Sequence, residues 1–163
     1  MNANDENGPH RFSMPAWISC APYEQLLGME ILKAEDGEAH LQMPFRRSLA
    51  QGAGLMHGGA LVSLADTAVV MAIKSIVAPG THFATISLES RFLRPVKQGL
   101  IQAMARVSER RDAILKGQCE ILDEGGLAVM SFGSVFKIAR DAMVRDVRFD
   151  DVPLSQTVLP PSR

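Results

Sequence analysis

The chain has few of the residues that crosslink or metallate small domains. Its 163 residues include only two cysteines, Cys20 and Cys119, which lie far apart and outside any pairing motif. This scarcity argues against a disulfide framework and against a zinc site. The four histidines are scattered without the spacing of metal ligands, so we expect no metal. A chain of this length buries roughly two thirds of its unfolded surface and folds as about one domain without such aids.

An excess of charge of one sign is also missing. Seventeen basic residues against eighteen acidic ones give a net charge of −1. Nothing supplies the broad basic surface of a general nucleic-acid binder, although a local cluster for one phosphorylated ligand remains compatible with this balance. No run of 18 uncharged apolar residues exists, so we expect no membrane span. The polar start, MNANDENGPHRF, does not resemble a secretory signal, and we expect a cytoplasmic protein with reduced thiols.

The pattern of the first third of the chain predicts short secondary-structure elements. Residues 1–15 are a polar lead-in, and PYEQLLGM from Pro22 predicts a short helix that ends at Gly28. Two strands are predicted over residues 30–34 and 38–43, with Asp36-Gly37 as the hairpin turn between them. The segment PFRRSLAQGAGLMHGG that follows has the composition of a loop.

The longest predicted helix spans residues 59–77 and stops at Ala78-Pro79-Gly80. It is apolar nearly all round, which is typical of a buried helix. Its few polar residues fall on one stripe, at 100° per residue: Ser63, Asp66, Thr67 and Lys74.

After this helix the hydrophobic period changes to two. In HFATISLESRFLRP the alternation predicts two faces, one with Ala84, Ile86, Leu88 and Phe92 and the other with Thr85, Ser87, Glu89 and Arg91. Three more strands are predicted at about 99–109, 112–123 and 127–138. Because consecutive hairpins join them, the sheet is predicted to be antiparallel. The fold class is therefore α+β, with a curved antiparallel sheet wrapped around the long helix. The domain is predicted over residues 21–139, between an N-terminal extension (1–20) and a C-terminal tail (140–163).

Asp66 is the most informative residue, because it lies in the middle of an otherwise apolar helix. A buried, unpaired carboxylate is costly and raises its pKa in response. Two interpretations stay open on the sequence. Asp66 lies at the helix surface or caps a nearby loop, or it acts as a nucleophile, a general base or the holder of a catalytic water.

The second feature is His57-Gly58-Gly59 at the start of the same helix. The first N–H groups of a helix have no internal partners, the helix dipole favours negative charge there, and glycines allow a ligand to approach closely. These properties suit an oxyanion hole for an acyl group. The alternative is that the glycines permit a tight turn and that His57 hydrogen-bonds the loop.

These two features do not fit one site within one chain. Gly58 and Asp66 are eight residues apart, which is about 12 Å along a helix. A carboxylate and an oxyanion hole must both lie about 3 Å from one reacting group. Two such helices packed antiparallel across a two-fold axis would close the gap and create two equal sites. This hypothesis predicts an obligate dimer.

Three motifs resemble the hotdog-fold acyl-CoA thioesterases, in particular the phenylacetate-pathway (PaaI-like) type. HGGALVSLADTAV at residues 57–69 is similar to the start of that family's central helix. ISLESRFLRPV at 86–96 is similar to its strand that ends in an aromatic residue and Arg-Pro, and ILDEGGLAVMSFGSVFKI is similar to its last pair of strands. The resemblance covers about residues 24–138.

The resemblance implies a sheet around a long helix, homodimers that often pair into dimers of dimers, and hydrolysis of acyl-CoA without a metal or cofactor. It implies Asp66 as nucleophile or base and the Gly58 N–H as the group that polarises the thioester carbonyl. Gln51 would position the carbonyl or the water, His57 would support the sulfur or the loop, and Thr85 would help to orient the water.

For the substrate, the resemblance implies CoA phosphates over basic strand ends, with Arg91, Arg94 and Lys97 as candidates. The acyl group would enter an apolar pocket between the helices, lined by Leu55, Met56, Leu61 and Val70, with Gly59 as a further substrate-binding residue. Two other functions compete on the same scaffold: a non-catalytic acyl-CoA-binding module and an acyl-thioester hydratase. The combination of Asp66, Gly58 and Gln51 argues for hydrolysis over both.

Overall fold

The computed structural model describes residues 11–139 in full and the backbone of residues 143–144, 147–148 and 154–158. Helix α1 spans Pro22–Leu27 and helix α2 spans Gly58–Lys74. The strands are β1 (Arg11–Ser13), β2 (Glu30–Glu35), β3 (Glu38–Pro44), β4 (Phe83–Phe92), β5 (Leu100–Arg111), β6 (Ile114–Leu122), β7 (Ala128–Ile138), β8 (Met143–Val144), β9 (Val147–Arg148) and β10 (Leu154–Val158).

Six strands form one antiparallel sheet in the order β2-β3-β5-β6-β7-β4. Helix α2 packs on one face of this sheet and contributes nine buried apolar residues to a single core. The predicted fold class, an antiparallel sheet around a long central helix, is confirmed. Outside this sheet β1 pairs in parallel with β10, and β8 pairs with β9. The rest of the predicted tail, residues 140–163, lies outside the described residues.

Small residues let α2 lie close to the sheet. Ala65, Ala68 and Ala72 of the helix are fully buried. On the sheet, Gly117 of β6 faces Val69, and a side-chain carbon at residue 117 would overlap the Val69 side chain. The helix therefore lies directly on the strands, and its polar residues Ser63, Asp66 and Lys74 are only partly buried.

The short elements before α2 also match the sequence prediction. Pro22 begins α1, the Glu24 carboxylate accepts a hydrogen bond from the Ala21 N–H at 2.9 Å, and Gly28 ends the helix with φ +74°. The β2–β3 hairpin turns at Asp36 and Gly37, which both have positive φ, as this type of turn requires.

The prediction that Thr85 and Leu88 lie on opposite faces of β4 is wrong. The register between β4 and β7 shifts between Thr85 and Ser87, so Thr85 lies opposite Phe136, and Leu88 lies opposite Ser134. Phe136 and Ser134 are both buried on the helix side of the sheet. Thr85 therefore faces α2 together with Leu88. The cause is a β-bulge, which adds one residue and reverses the alternation at that point.

Strand β4 is an edge of the sheet and carries large exposed apolar side chains. Ile86, Leu88, Phe92 and the following Leu93 are 56%, 49%, 55% and 49% exposed. An edge strand offers unpaired backbone groups to another strand, and clustered exposed apolar residues mark interaction surfaces. This edge is therefore the part of the described chain best suited to contact a second molecule.

Candidate active site

Asp66 and Thr85, two of the predicted site residues, lie together. The Thr85 hydroxyl donates to the Asp66 carboxylate, with distances of 3.3 Å to Oδ1 and 3.4 Å to Oδ2. The bulge in β4 makes this contact possible, because it turns Thr85 toward α2. Asp66 is half-buried, and its hydrogen bond goes to a strand, so it does not cap a loop.

Burial sets the electrostatics of Asp66. Loss of solvent raises the pKa of this carboxyl, and the hydrogen bond from Thr85 opposes the shift. The salt bridges found among the described residues do not include Asp66. A half-buried carboxylate that is held by one hydroxyl and neutralised by no cation is a good proton acceptor or nucleophile.

His57 caps the start of α2. Its Nδ1 accepts a hydrogen bond from the Gly59 N–H at 2.9 Å. In a neutral imidazole only one nitrogen carries the proton, so the proton is on Nε2, which is free to donate. The predicted role of Gly59 changes as a result, because its N–H is already engaged. Its exposed backbone can contact a ligand but offers no donor.

Gly58 is the first residue of α2. Among residues 11–139 no acceptor is found for its N–H, as is usual for the first N–H groups of a helix. The Phe92 ring lies against it, since a side-chain carbon at residue 58 would be 3.1 Å from two ring atoms. Sequence reasoning missed this contact, because the alternation of β4 places Phe92 on one face of the sheet but does not say which part of α2 that face meets.

Gln51 lies in a tight loop before α2. Its backbone N–H donates to the Leu55 carbonyl at 2.8 Å, and its side-chain Oε1 accepts from the Ala53 N–H at 2.5 Å. Because Oε1 is engaged, the free end of the side chain is the Nε2 amide, a donor. The loop and the helix start thus carry three hydrogen-bond donors, from Gln51, His57 and Gly58.

One chain therefore holds two chemically complementary groups of residues. The first, which we call the acceptor half, is Asp66 with Thr85. The second, the donor half, is Gln51, His57 and Gly58. Eight helical residues separate the halves, about 12 Å at the rise of an α-helix.

The structure does not bring the three predicted CoA-binding cations together. Arg91 lies on the sheet face opposite α2, since it pairs with the exposed Ser131, and it lines a cavity of about 770 Å³ there. Arg94 and Lys97 follow β4 and line a separate cavity of about 440 Å³ beside Asp123. The Arg94 guanidinium also donates to the Ala128 carbonyl at 2.7 Å.

The predicted acyl pocket differs as well. Met56 and Leu61 are 5% and 3% exposed and belong to the core, so they line no open pocket in this chain. Leu61 is buried because it lies on the apolar side of α2, whereas Met56 is held inward by its N–H bond to the Val96 carbonyl. Leu55 and Val70 are half-buried and remain available. None of the described helices has the length and apolar character needed to cross a membrane.

Comparisons with known proteins agree with this fold. Residues 53–130 match the family model of the thioesterase superfamily. The chain is 36% identical over 80 residues to a protein of Halobacterium salinarum named as an esterase. The aligned segment covers 46% of this chain and 53% of that protein. It is 25% identical over 101 residues to a 1,4-dihydroxy-2-naphthoyl-CoA hydrolase of Listeria monocytogenes, covering 62% and 82%.

Among solved structures, the PaaI protein from the phenylacetic acid degradation operon of E. coli superposes with a TM-score of 0.68 at 27% identity, covering 73% of this chain and 85% of that one. The chain spans about half the length of the first curated relatives that it matches. With the sheet and helix as described, the chain has the hotdog fold of the PaaI-like proteins, and its residues 53–130 match the thioesterase superfamily.

Proposed function

We propose that this protein hydrolyses acyl-CoA thioesters to the free acid and CoA, at sites built from two copies of the chain. The observation that carries the proposal is the division of each chain into an acceptor half and a donor half. Thioester hydrolysis needs both: a group that attacks or activates water, and donors for the oxyanion and the leaving sulfur. The acyl-CoA substrate is supported by the naphthoyl-CoA hydrolase among the relatives.

A dimer can bring an Asp66 carboxylate close to a Gly58 N–H. When two α2 helices run antiparallel, Asp66 of one chain comes next to Gly58 of the partner subunit, and symmetry makes the second site identical. The exposed apolar edge strand β4 supports this arrangement, because two such edges can pair and bury Ile86, Leu88 and Phe92.

In the proposed reaction the thioester carbonyl accepts hydrogen bonds from the Gly58 N–H and the Gln51 Nε2 amide. Asp66, in the other chain, either attacks the carbonyl carbon or removes a proton from the water that attacks it. A C–O bond forms, the C–S bond breaks, and the electron pair leaves on sulfur. Where Asp66 is the attacking group, the product is an anhydride between the acyl group and Asp66, and water then hydrolyses it to the free acid and the restored carboxylate. The His57 Nε2–H stabilises that sulfur, which takes up the proton released from water. Thr85 keeps the carboxylate oriented and its pKa within the working range.

The CoA phosphates are assigned to Arg94 and Lys97 rather than to Arg91, because Arg91 faces away from Asp66. We assign the face that carries Arg91 to contact between two dimers. Its exposed charged residues surround the half-exposed Met104 and comprise three cations and three anions: Lys33, Arg91, Arg106, Glu38, Glu89 and Glu120. Because the two signs are balanced, the cations of this face can form ion pairs with the anions of the same face in a symmetry-related copy. Cys20 and Cys119 are buried and form no disulfide within the described residues, which supports the predicted cytoplasmic location.

The test is thiol release from aryl, short-chain and long-chain acyl-CoAs by the wild type and Asp66→Asn. We expect wild-type hydrolysis of at least one substrate and a loss of at least about 10²-fold in kcat for the variant, nearly 3 kcal/mol of transition-state stabilisation. Free acid must appear with the thiol; a 3-hydroxyacyl-CoA product would indicate a hydratase. Wild-type protein that binds acyl-CoA but releases no thiol would overturn the proposal in favour of a binding module.

The same assay distinguishes the two roles of Asp66. In a single turnover in H₂¹⁸O, direct attack by water places ¹⁸O in the acid product. Attack by the carboxylate, followed by hydrolysis of the anhydride at the Asp66 carbon, places unlabelled oxygen in the acid and ¹⁸O in the Asp66 side chain. Unlabelled acid in the first turnover therefore assigns Asp66 as the nucleophile.

A further inference from the structure

Tyr23 of α1 and Ser63 of α2 form a line of hydroxyl groups that the proposed reaction does not use. The two hydroxyl oxygens lie 2.8 Å apart. Ser63 Oγ also donates to the Gly59 carbonyl oxygen at 2.8 Å. A serine hydroxyl has a single proton, and here it goes to Gly59. The hydrogen bond between the two hydroxyls must therefore use the proton of Tyr23.

As a result, the Tyr23 oxygen can accept a hydrogen bond but has no proton left to donate. Its side chain is 54% exposed, so a ligand can reach it. Within residues 11–139 its oxygen has no hydrogen-bond partner other than Ser63. An exposed group that can only accept selects a ligand atom that bears a proton.

The position of this acceptor relates it to the proposed reaction. Ser63 and Asp66 are three residues apart on α2, so they lie on the same side of the helix with Cβ atoms about 5–6 Å apart. Gly59, one turn earlier on that side, is exposed, so this strip of the helix is open to a ligand. Because Tyr23 contacts Ser63, a thioester that extends from Asp66 toward Gly59 passes the Tyr23 oxygen.

We infer that Tyr23 is a specificity-determining residue that accepts a hydrogen bond from an N–H or O–H group of the thioester substrate, and that Ser63 is the positioning residue that holds it. This inference rests on the proposed function. Two parts of an acyl-CoA carry such a proton near the thioester: the amide N–H groups of the pantetheine arm and a hydroxyl on the acyl group.

The test compares Tyr23→Phe with the wild type in binding two CoA thioethers that cannot be hydrolysed, S-phenacyl-CoA and its ring-hydroxylated form. Phenylalanine keeps the ring and removes only the oxygen. One neutral hydrogen bond changes Kd by roughly two- to tenfold. Weaker binding of both ligands identifies the pantetheine amide as the donor, whereas weaker binding of the hydroxylated ligand alone identifies the acyl hydroxyl. Unchanged Kd for both, or no wild-type binding to either, overturns the inference.

Kinetics separate recognition from a structural role. We expect Tyr23→Phe to raise KM by the same factor with kcat within about twofold, as for a contact made equally in ground and transition states. Ser63→Ala should lower affinity in the same way, and Ser63→Thr should restore it, because threonine also donates to the carbonyl four residues earlier. Ser108→Ala, which removes an exposed hydroxyl of β5, is the matched control.

A fall in kcat at unchanged KM would show instead that the hydroxyl line only supports the helix start, and it would refute the inference. The proposed function fails separately. If the wild type hydrolyses thioesters and Asp66→Asn does not, while Tyr23→Phe behaves as wild type in both assays, only the assignment of Tyr23 is lost.

Discussion

Replacement of Gly58 by proline removes the proposed oxyanion donor with little change to the backbone. Gly58 is the first residue of α2, the position at which proline is favoured in helices and at which its missing N–H breaks no helical hydrogen bond. The preceding residue, His57, has φ −67° and ψ 131°, the extended conformation that a residue before proline requires. Gly58→Pro is therefore expected to fold and to dimerise.

The added carbons have one steric consequence, and a second variant controls for it. Any side chain at residue 58 places Cβ 3.1 Å from two atoms of the Phe92 ring, so the ring must move by a few tenths of an ångström. Phe92 is 55% exposed in one chain, and the same shift of its ring is required in both variants. Gly58→Ala introduces the Cβ crowding but keeps the N–H. The difference between the two variants therefore measures the replacement of the N–H by the proline ring carbon.

Loss of one oxyanion-hole donor costs about 10²–10³-fold in kcat, or about 2.7–4 kcal/mol. We expect Gly58→Pro to lose this much in a thiol-release assay and Gly58→Ala to stay within a few-fold of the wild type. Thermal unfolding and light scattering verify that both variants are folded and of wild-type size. Equal activity of the two variants, whether both fall or both stay high, would refute the role of the Gly58 N–H.

Three further predictions test other parts of the structure. Thr85→Val removes the hydrogen bond that lowers the pKa of Asp66, so the acidic limb of the pH profile of kcat/KM should move to higher pH. An acidic limb at the wild-type pH would contradict the contact between Thr85 and Asp66. Gly117→Ala should destabilise the fold by about 1–3 kcal/mol in urea titrations, since the new methyl overlaps Val69, and unchanged stability would argue against the close packing of α2. Leu88→Glu should yield inactive monomers in size-exclusion chromatography with light scattering, whereas Leu127→Glu, an equally exposed leucine in the β6–β7 turn, should behave as the wild type.

The fold was predictable because the local sequence signals agree with one another and with the observed sheet and helix. The all-apolar helix, the turn at Asp36-Gly37 and the alternating strands after residue 82 point to the same architecture. The composition of the two half-sites was also visible. A carboxylate in an apolar helix stands out, and glycines at a helix start are a local pattern whose chemistry does not depend on distant contacts.

The features that the sequence did not show depend on the register between strands and on the direction in which a side chain points in the folded chain. The alternation of β4 placed Thr85 away from the helix, and a single bulged residue reverses that placement. The contact between Phe92 and Gly58 was not expected either, because strand alternation does not indicate which residue of a distant helix a side chain meets. Apolar residues near a site were assigned to its pocket, yet Met56 and Leu61 face the core, because hydrophobicity does not indicate which side of a loop or helix is buried.

The most direct test of the shared site is complementation between two inactive variants. Asp66→Asn chains lack the acceptor and Gly58→Pro chains lack the donor, so each homodimer has two defective sites. In a heterodimer one site combines the intact Asp66 with the intact Gly58, and the other site has neither. Random exchange of equal amounts makes half the dimers mixed, which predicts recovery of about a quarter of wild-type activity. If native mass spectrometry shows heterodimers and no activity returns, the two halves do not act across the dimer and the account is contradicted.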